Sequence, residues 1–149
     1  MRDALIVSTA RTPLTKSYRG TFNNTTAPTM AGWAIEEAVK RSGVDPNKVD
    51  DVIMGAALQQ GTQHCNVARN AALAAGLPVT VSGMTLDRQC SSGMMAIATA
   101  AKQIISDGMD VVVGGGLDSI SLVQTEKMNL DRWVAVSYTH LRAHETFGY

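Results

Sequence analysis

Short apolar runs alternate with segments of helical period through the first 130 residues. That alternation restricts the chain to an α/β layer fold, a parallel or mostly parallel sheet covered by helices. Ala4 to Val7, closed by Ser8-Thr9, is expected to be the first strand, buried on both faces. Val52 to Ala57 predicts a second, Met84-Thr85-Leu86 within Val81 to Asp87 a third, and Val111-Val112-Val113 a fourth. A polar connection from Arg11 to Thr26 is long enough to be a functional loop.

The helices carry their own punctuation. Pro28 suits a first helical turn and Gly43 a left-handed end, so a helix is expected over about Thr29 to Ser42, with Ala31, Ile35, Ala38 and Val39 on its apolar face. Asn66 is placed to cap a second helix that runs to Ala75, ahead of Gly76 and Pro78. From Ser92 to Ser106 the chain is rich in Ala, Met and Ile. One face carries Met94, Ile97, Ala98, Ala101 and Ile105, and the rest is also apolar, which predicts a central helix buried on most sides and ended by Gly108.

Thirteen basic against thirteen acidic residues give no net charge and no electrostatic case for nucleic acid or an anionic membrane. With 45% apolar and 17% charged residues the chain is expected to be globular. No run approaches the roughly 20 apolar residues of a membrane span, and Met1-Arg2-Asp3 enters the first apolar run without a signal-peptide pattern. The expected location is cytoplasmic. Two cysteines, Cys65 and Cys90, are too few for a disulfide framework and fit a reducing compartment.

Composition shifts after about Leu130. Four of the seven aromatics and two of the three histidines lie in the last 17 residues, which show no clean period. Residues 1–130 are therefore read as the domain, and 131–149 as a tail of doubtful origin whose string Ser137 to Thr146 resembles translated adapter sequence.

Cys90 is the sharpest chemical feature. A thiol between a strand and a helix lies beside the unpaired N–H groups and positive dipole end of that helix, which favour thiolate over thiol. The same N–H groups could hold an oxyanion when the sulfur attacks a carbonyl. The competing reading is an inert cysteine at a tight packing point. Cys65 beside His64 lacks the further ligands of a metal site, and His140 and His144 lack the intervening Glu of a zinc-protease helix. Gly114-Gly115-Gly116 matches neither phosphate-loop pattern and is expected to let backbones pack closely.

The run Arg88-Gln89-Cys90-Ser91-Ser92-Gly93-Met94 before an Ala-rich helix resembles the nucleophile segment of thiolases, in particular of their 3-ketoacyl-CoA branch. Val7 to Pro13, Asn66-Val67-Ala68-Arg69 with Ala74 to Pro78, and Gly115 to Ser121 are similar to three further family segments. In the last of these the family usually has Glu where this chain has Asp118. The resemblance covers roughly Met1 to Asn129. It implies a layered mixed sheet covered by helices, of which this chain would be an incomplete N-terminal half-fold. It further implies acyl transfer through a thioester on Cys90, the acyl acceptor, with coenzyme A thioesters as substrates and no resident cofactor or metal. The full-length protein would be a homo-oligomer.

The family's Asn-Glu, Gly-His-Pro and second Cys-Gly motifs are not in these 149 residues, so the chain alone is expected to be inactive. Two alternatives stand beside this reading: a β-ketoacyl-acyl-carrier-protein synthase-like condensing enzyme, and an inert truncated chain.

Overall fold

The structure, a computed structural model, describes residues 2–128. The tail expected at 131–149, with His140 and His144, lies outside them. The elements in chain order are α1 (Ala27–Ser42), β1 (Asp51–Gly55), α2 (Val67–Ala74), β2 (Ser82–Leu86), α3 (Ser92–Lys102), β3 (Val112–Gly116) and the short α4 (Ile120–Val123). The three strands form a parallel sheet in the order β2-β1-β3, with Ile53 opposite Met84 on one side and Gly114 on the other.

β1 is the central strand and all five of its residues are buried. Its side chains alternate between two cores, as strand geometry requires. Val52 and Met54 meet α1 and α2 through Ala31, Ile35, Ala68, Ala71 and Ala72, while Ile53 meets Ala96 and Ala100 of α3 on the opposite face. This is the expected layered α/β arrangement.

The punctuation residues act as their chemistry dictates. Pro28 lies in the first turn of α1, and Gly43 ends that helix at φ 71°. Asn66 caps α2 by accepting from the Arg69 N–H at 3.3 Å, and Gly76 and Gly108 take up φ 74° and φ 80°. The last turn before Gly108, Gln103–Asp107, is a π-turn rather than a continuation of the α-helix.

Two expectations are corrected. Ala4 to Val7 is not a strand: Leu5, Ile6 and Val7 are 76%, 79% and 69% exposed. The run is held from its flanks, by Arg2 on Asp110 and by the Thr9 carbonyl accepting from Arg41 at 3.2 Å. A strand requires a ladder neighbour, and the side of β3 away from β1 pairs with none of the described residues. Nor is α3 buried on most sides. Its buried stripe is Ser92, Ala96 and Ala100, and Met94, Ile97 and Ile105 of the expected apolar face are 73%, 48% and 40% exposed.

The glycines explain why α3 turns its small side chains to the sheet. A Cβ added at Gly114 would lie 2.9 Å from the Ile97 Cα, and one at Gly116 would lie 2.7 Å from the Gly93 Cα. The helix axis is so close that only glycine, alanine and serine fit the seam. The Gly114-Gly115-Gly116 run is thus a packing surface.

Candidate active site

Gly55, Leu86 and Gly116 are register partners, so the three strands end together. Everything that follows them, the 56–66 connection, the 87–91 turn and the 117–119 loop, emerges at one edge of the sheet. In open parallel sheets the crevice beyond the carboxyl ends is where ligands bind. A cavity of about 520 Å³ lies there, and Cys90 lines it with Gly55, Gly93, Gly116, Asp118 and Arg11. The polar connection read from Arg11 to Thr26 supplies one wall through residues such as Thr12, Thr15 and Ser17.

Cys90 sits at the turn between β2 and α3, where the sequence placed it, with an exposed, free thiol. The turn is tight. Gln89 is in the left-handed region at φ 51°, and its N–H donates to Asp87 Oδ1 at 2.6 Å. The Ser91 N–H donates to the Arg88 carbonyl at 3.2 Å and the Ser92 N–H to the Gln89 carbonyl at 3.0 Å. Those two N–H groups are engaged within the turn, so the oxyanion role expected of the helix start does not fall to them. The Ser92 hydroxyl, on a residue 3% exposed, accepts from the Arg88 N–H at 2.8 Å and donates to the Gln89 carbonyl at 2.6 Å.

Asp118, also in the cavity's lining, joins two loops. Its Oδ1 accepts from the Ala57 N–H at 3.2 Å and from Gln63 Nε2 at 3.0 Å. Gln63, 1% exposed, also donates to the Leu58 carbonyl at 2.8 Å, and its Oε1 accepts from the Ser119 N–H. The sequence reading missed Gln63, because a glutamine in a polar run carries no pattern of burial. In the sequence Asp118 stands out only as a departure from the Glu usual in the resembled segment.

Burial pushes the Asp118 carboxyl above its ordinary value, and the neighbouring Asp87 adds to the rise; the hydrogen bonds from Gln63 and Ala57 oppose it. The folded chain therefore holds this proton to a higher pH than the unfolded chain does. Asp118 contributes stability below the ordinary carboxylate range, and that contribution is lost as pH rises through the raised value. Asp118→Asn keeps an acceptor oxygen and removes the charge. The variant is expected to melt at or above the parent temperature near neutral pH, with a smaller fall in melting temperature between about pH 4 and pH 7. Thermal unfolding at several pH values checks this.

Cys65 does not line the cavity. Its exposed, free thiol lies 3.2 Å from His64 Nε2, and no group of three or more metal-ligating side chains occurs among the described residues. No helix among them is long and apolar enough to cross a membrane.

Comparison with known proteins adds a family. Residues 4–146 match the thiolase N-terminal domain. The chain is 39% identical over 123 residues to a 3-ketoacyl-CoA thiolase of Bacillus subtilis (strain 168), covering 83% of this chain and 32% of that one. It is 37% identical over 119 residues to the peroxisomal 3-ketoacyl-CoA thiolase 2 of Arabidopsis thaliana, covering 80% and 26%. Among solved structures, the Bacillus anthracis acetyl-CoA acetyltransferase superposes with a TM-score of 0.76 at 46% identity, over 81% of this chain and 30% of that one. The chain thus spans about a third or less of the length of these relatives.

Proposed function

Because this chain belongs to the thiolase family, matching its N-terminal domain, we propose that it supplies the acyl-accepting half of a thiolase active site, with Cys90 as nucleophile. The observation that carries this reading is the exposed Cys90 thiol on the wall of the cavity at the carboxyl end of the sheet. Beside it lie Gly55, Gly93 and Gly116, which have no side chains to bar a thioester from the sulfur.

In the degradative direction the Cys90 thiolate attacks the keto carbonyl of a 3-ketoacyl-CoA. The bond between the α and β carbons breaks, and the electron pair leaves as the enolate of acetyl-CoA, which takes up a proton. The shortened acyl group remains as a thioester on Cys90. The sulfur of free CoA, having lost its proton to a base, then attacks that thioester and releases the Cys90 thiolate and the shortened acyl-CoA. The scheme is ping-pong, and its reverse is a Claisen condensation. The proton acceptor and the enolate's donors belong to the part of the family's length that these residues do not span.

We take residues 1–130 as the domain that does this, in a homo-oligomer when the full length is present. The cytoplasm is our assignment of location, in keeping with two free thiols.

Incubation with acetyl-CoA followed by peptide mass mapping tests the proposal. The expected result is an acetyl group on Cys90, absent in Cys90→Ala and displaced by free CoA. Acetyl on Cys65 instead, or labelling of Cys90 from an acyl-carrier protein and not from CoA, would overturn it.

A further inference from the structure

We infer that Ser92 is the positioning residue for Cys90, its hydroxyl clamping the turn that aims the sulfur. The inference rests on the reading of Cys90 as the nucleophile.

Gln89, immediately before the cysteine, has the left-handed conformation at φ 51°, which a residue with a side chain holds only when its surroundings enforce it. Its amide is held by Asp87. The groups on either side of that amide are held by Ser92. The Ser92 Oγ accepts from the Arg88 N–H at 2.8 Å and donates to the Gln89 carbonyl at 2.6 Å. A hydroxyl has one proton and two lone pairs, so both bonds form at once and the alternative acceptor of its proton, Asp87 Oδ1 at 3.5 Å, is left over. The hydroxyl therefore bridges the Asp87–Arg88 and Gln89–Cys90 peptide groups, one on each side of the Arg88–Gln89 peptide.

A clamp needs a fixed jaw, and the sheet provides it. A Cβ built on Gly55 would lie 2.1 Å from the Ser92 carbonyl carbon, so the main chain of Ser92 rests directly against the end of β1. Ser92 is 3% exposed and cannot exchange its partners for water. Ser91, the residue at the cap position of α3, makes no side-chain cap, and its hydroxyl bonds the Arg88 carbonyl at 2.9 Å from an exposed position. The fixed connection from β1 to the turn therefore runs through Ser92.

The test uses the full 149-residue chain and needs no acyl transfer. Cys65 is free, exposed and away from the cavity, so it is an internal reference. The rates of iodoacetamide alkylation at the two thiols are read from the same sample by mass spectrometry. Ser92→Ala is expected to lower the Cys90-to-Cys65 ratio about fivefold, because a turn freed from its clamp no longer holds the sulfur in one orientation toward the incoming reagent. Ser91→Ala removes the neighbouring, exposed hydroxyl that bonds the Arg88 carbonyl and is expected to leave the ratio within about twofold of the parent.

A folded Ser92→Ala chain with an unchanged ratio, or Ser91→Ala lowering the ratio as far as Ser92→Ala does, overturns the inference. If Ser92→Ala does not fold, hydrogen exchange on the unmutated chain decides. The Arg88 amide is expected to be protected, and exchange at the free-peptide rate overturns the clamp. Failure of acetyl-CoA to label Cys90 would sink the proposed function and leave this ratio untouched, so the two failures are distinguishable.

Discussion

Gly55→Ala is expected to detach α3 from the sheet. The added Cβ would stand 2.1 Å from the Ser92 carbonyl carbon, 2.3 Å from its oxygen and 2.5 Å from the Gly93 nitrogen. All three are main-chain atoms, so no rotamer change relieves the clash. β1 is the central strand, buried along its whole length, and cannot retreat. The helix must move by more than an ångström, which opens the Ile53, Ala96 and Ala100 core behind it. Overpacking ordinarily costs about 1–3 kcal/mol, and with only main chain to yield the cost here is at the top of that range or above it, a large part of the roughly 5–15 kcal/mol that holds a domain folded.

Gly43→Ala is the matched control. Nothing lies within 4 Å of its added Cβ, and only the left-handed φ of 71° is penalised, at about 1–2 kcal/mol. Urea unfolding followed by circular dichroism compares the two. Gly55→Ala no more destabilised than Gly43→Ala would refute the close-seam account.

The 149 residues by themselves are expected to show no CoA-dependent cleavage of acetoacetyl-CoA. A positioned general acid or base contributes about 10²–10⁴-fold, and loss of one oxyanion donor costs about 10²–10³-fold. The chain contains no Asn-Glu, Gly-His-Pro or Cys-Gly pair to supply the family's groups for either task. Losing both lowers a typical turnover of about 10 s⁻¹ by roughly four to seven powers of ten, below routine detection. Loss of the acetoacetyl-CoA enolate absorbance measures it, and turnover at an ordinary enzymatic rate would show that the chain carries its own base. This expectation is separate from labelling of Cys90, which asks only whether the thiol can accept an acyl group.

The punctuation of the fold was legible because it depends on single residues. Gly43, Gly76 and Gly108 each take up a positive φ, and Asn66 caps the helix it precedes. The position of Cys90 was legible for the same local reason. Partnership was not. Leu5-Ile6-Val7 reads as buried because an apolar run states that it needs cover without stating which neighbour supplies it. Periodicity likewise found the apolar residues of α3 and misjudged which stripe meets the sheet. The glycines that decide this lie on β1 and β3, remote in sequence from the helix. The Gln63–Asp118 link joins residues 55 positions apart and is a property of the tertiary fold alone.

The seam between α3 and the strand ends touches main chain to main chain at Gly55, Gly93 and Gly116. Such a joint contains no side-chain torsions that could be re-sorted by warming or by a neighbouring substitution. The support on which the Ser92 hydroxyl holds the sulfur's turn is consequently set by the main chain of the strands. It is expected to stay sharp until the domain melts as a unit, not to blur by degrees beforehand.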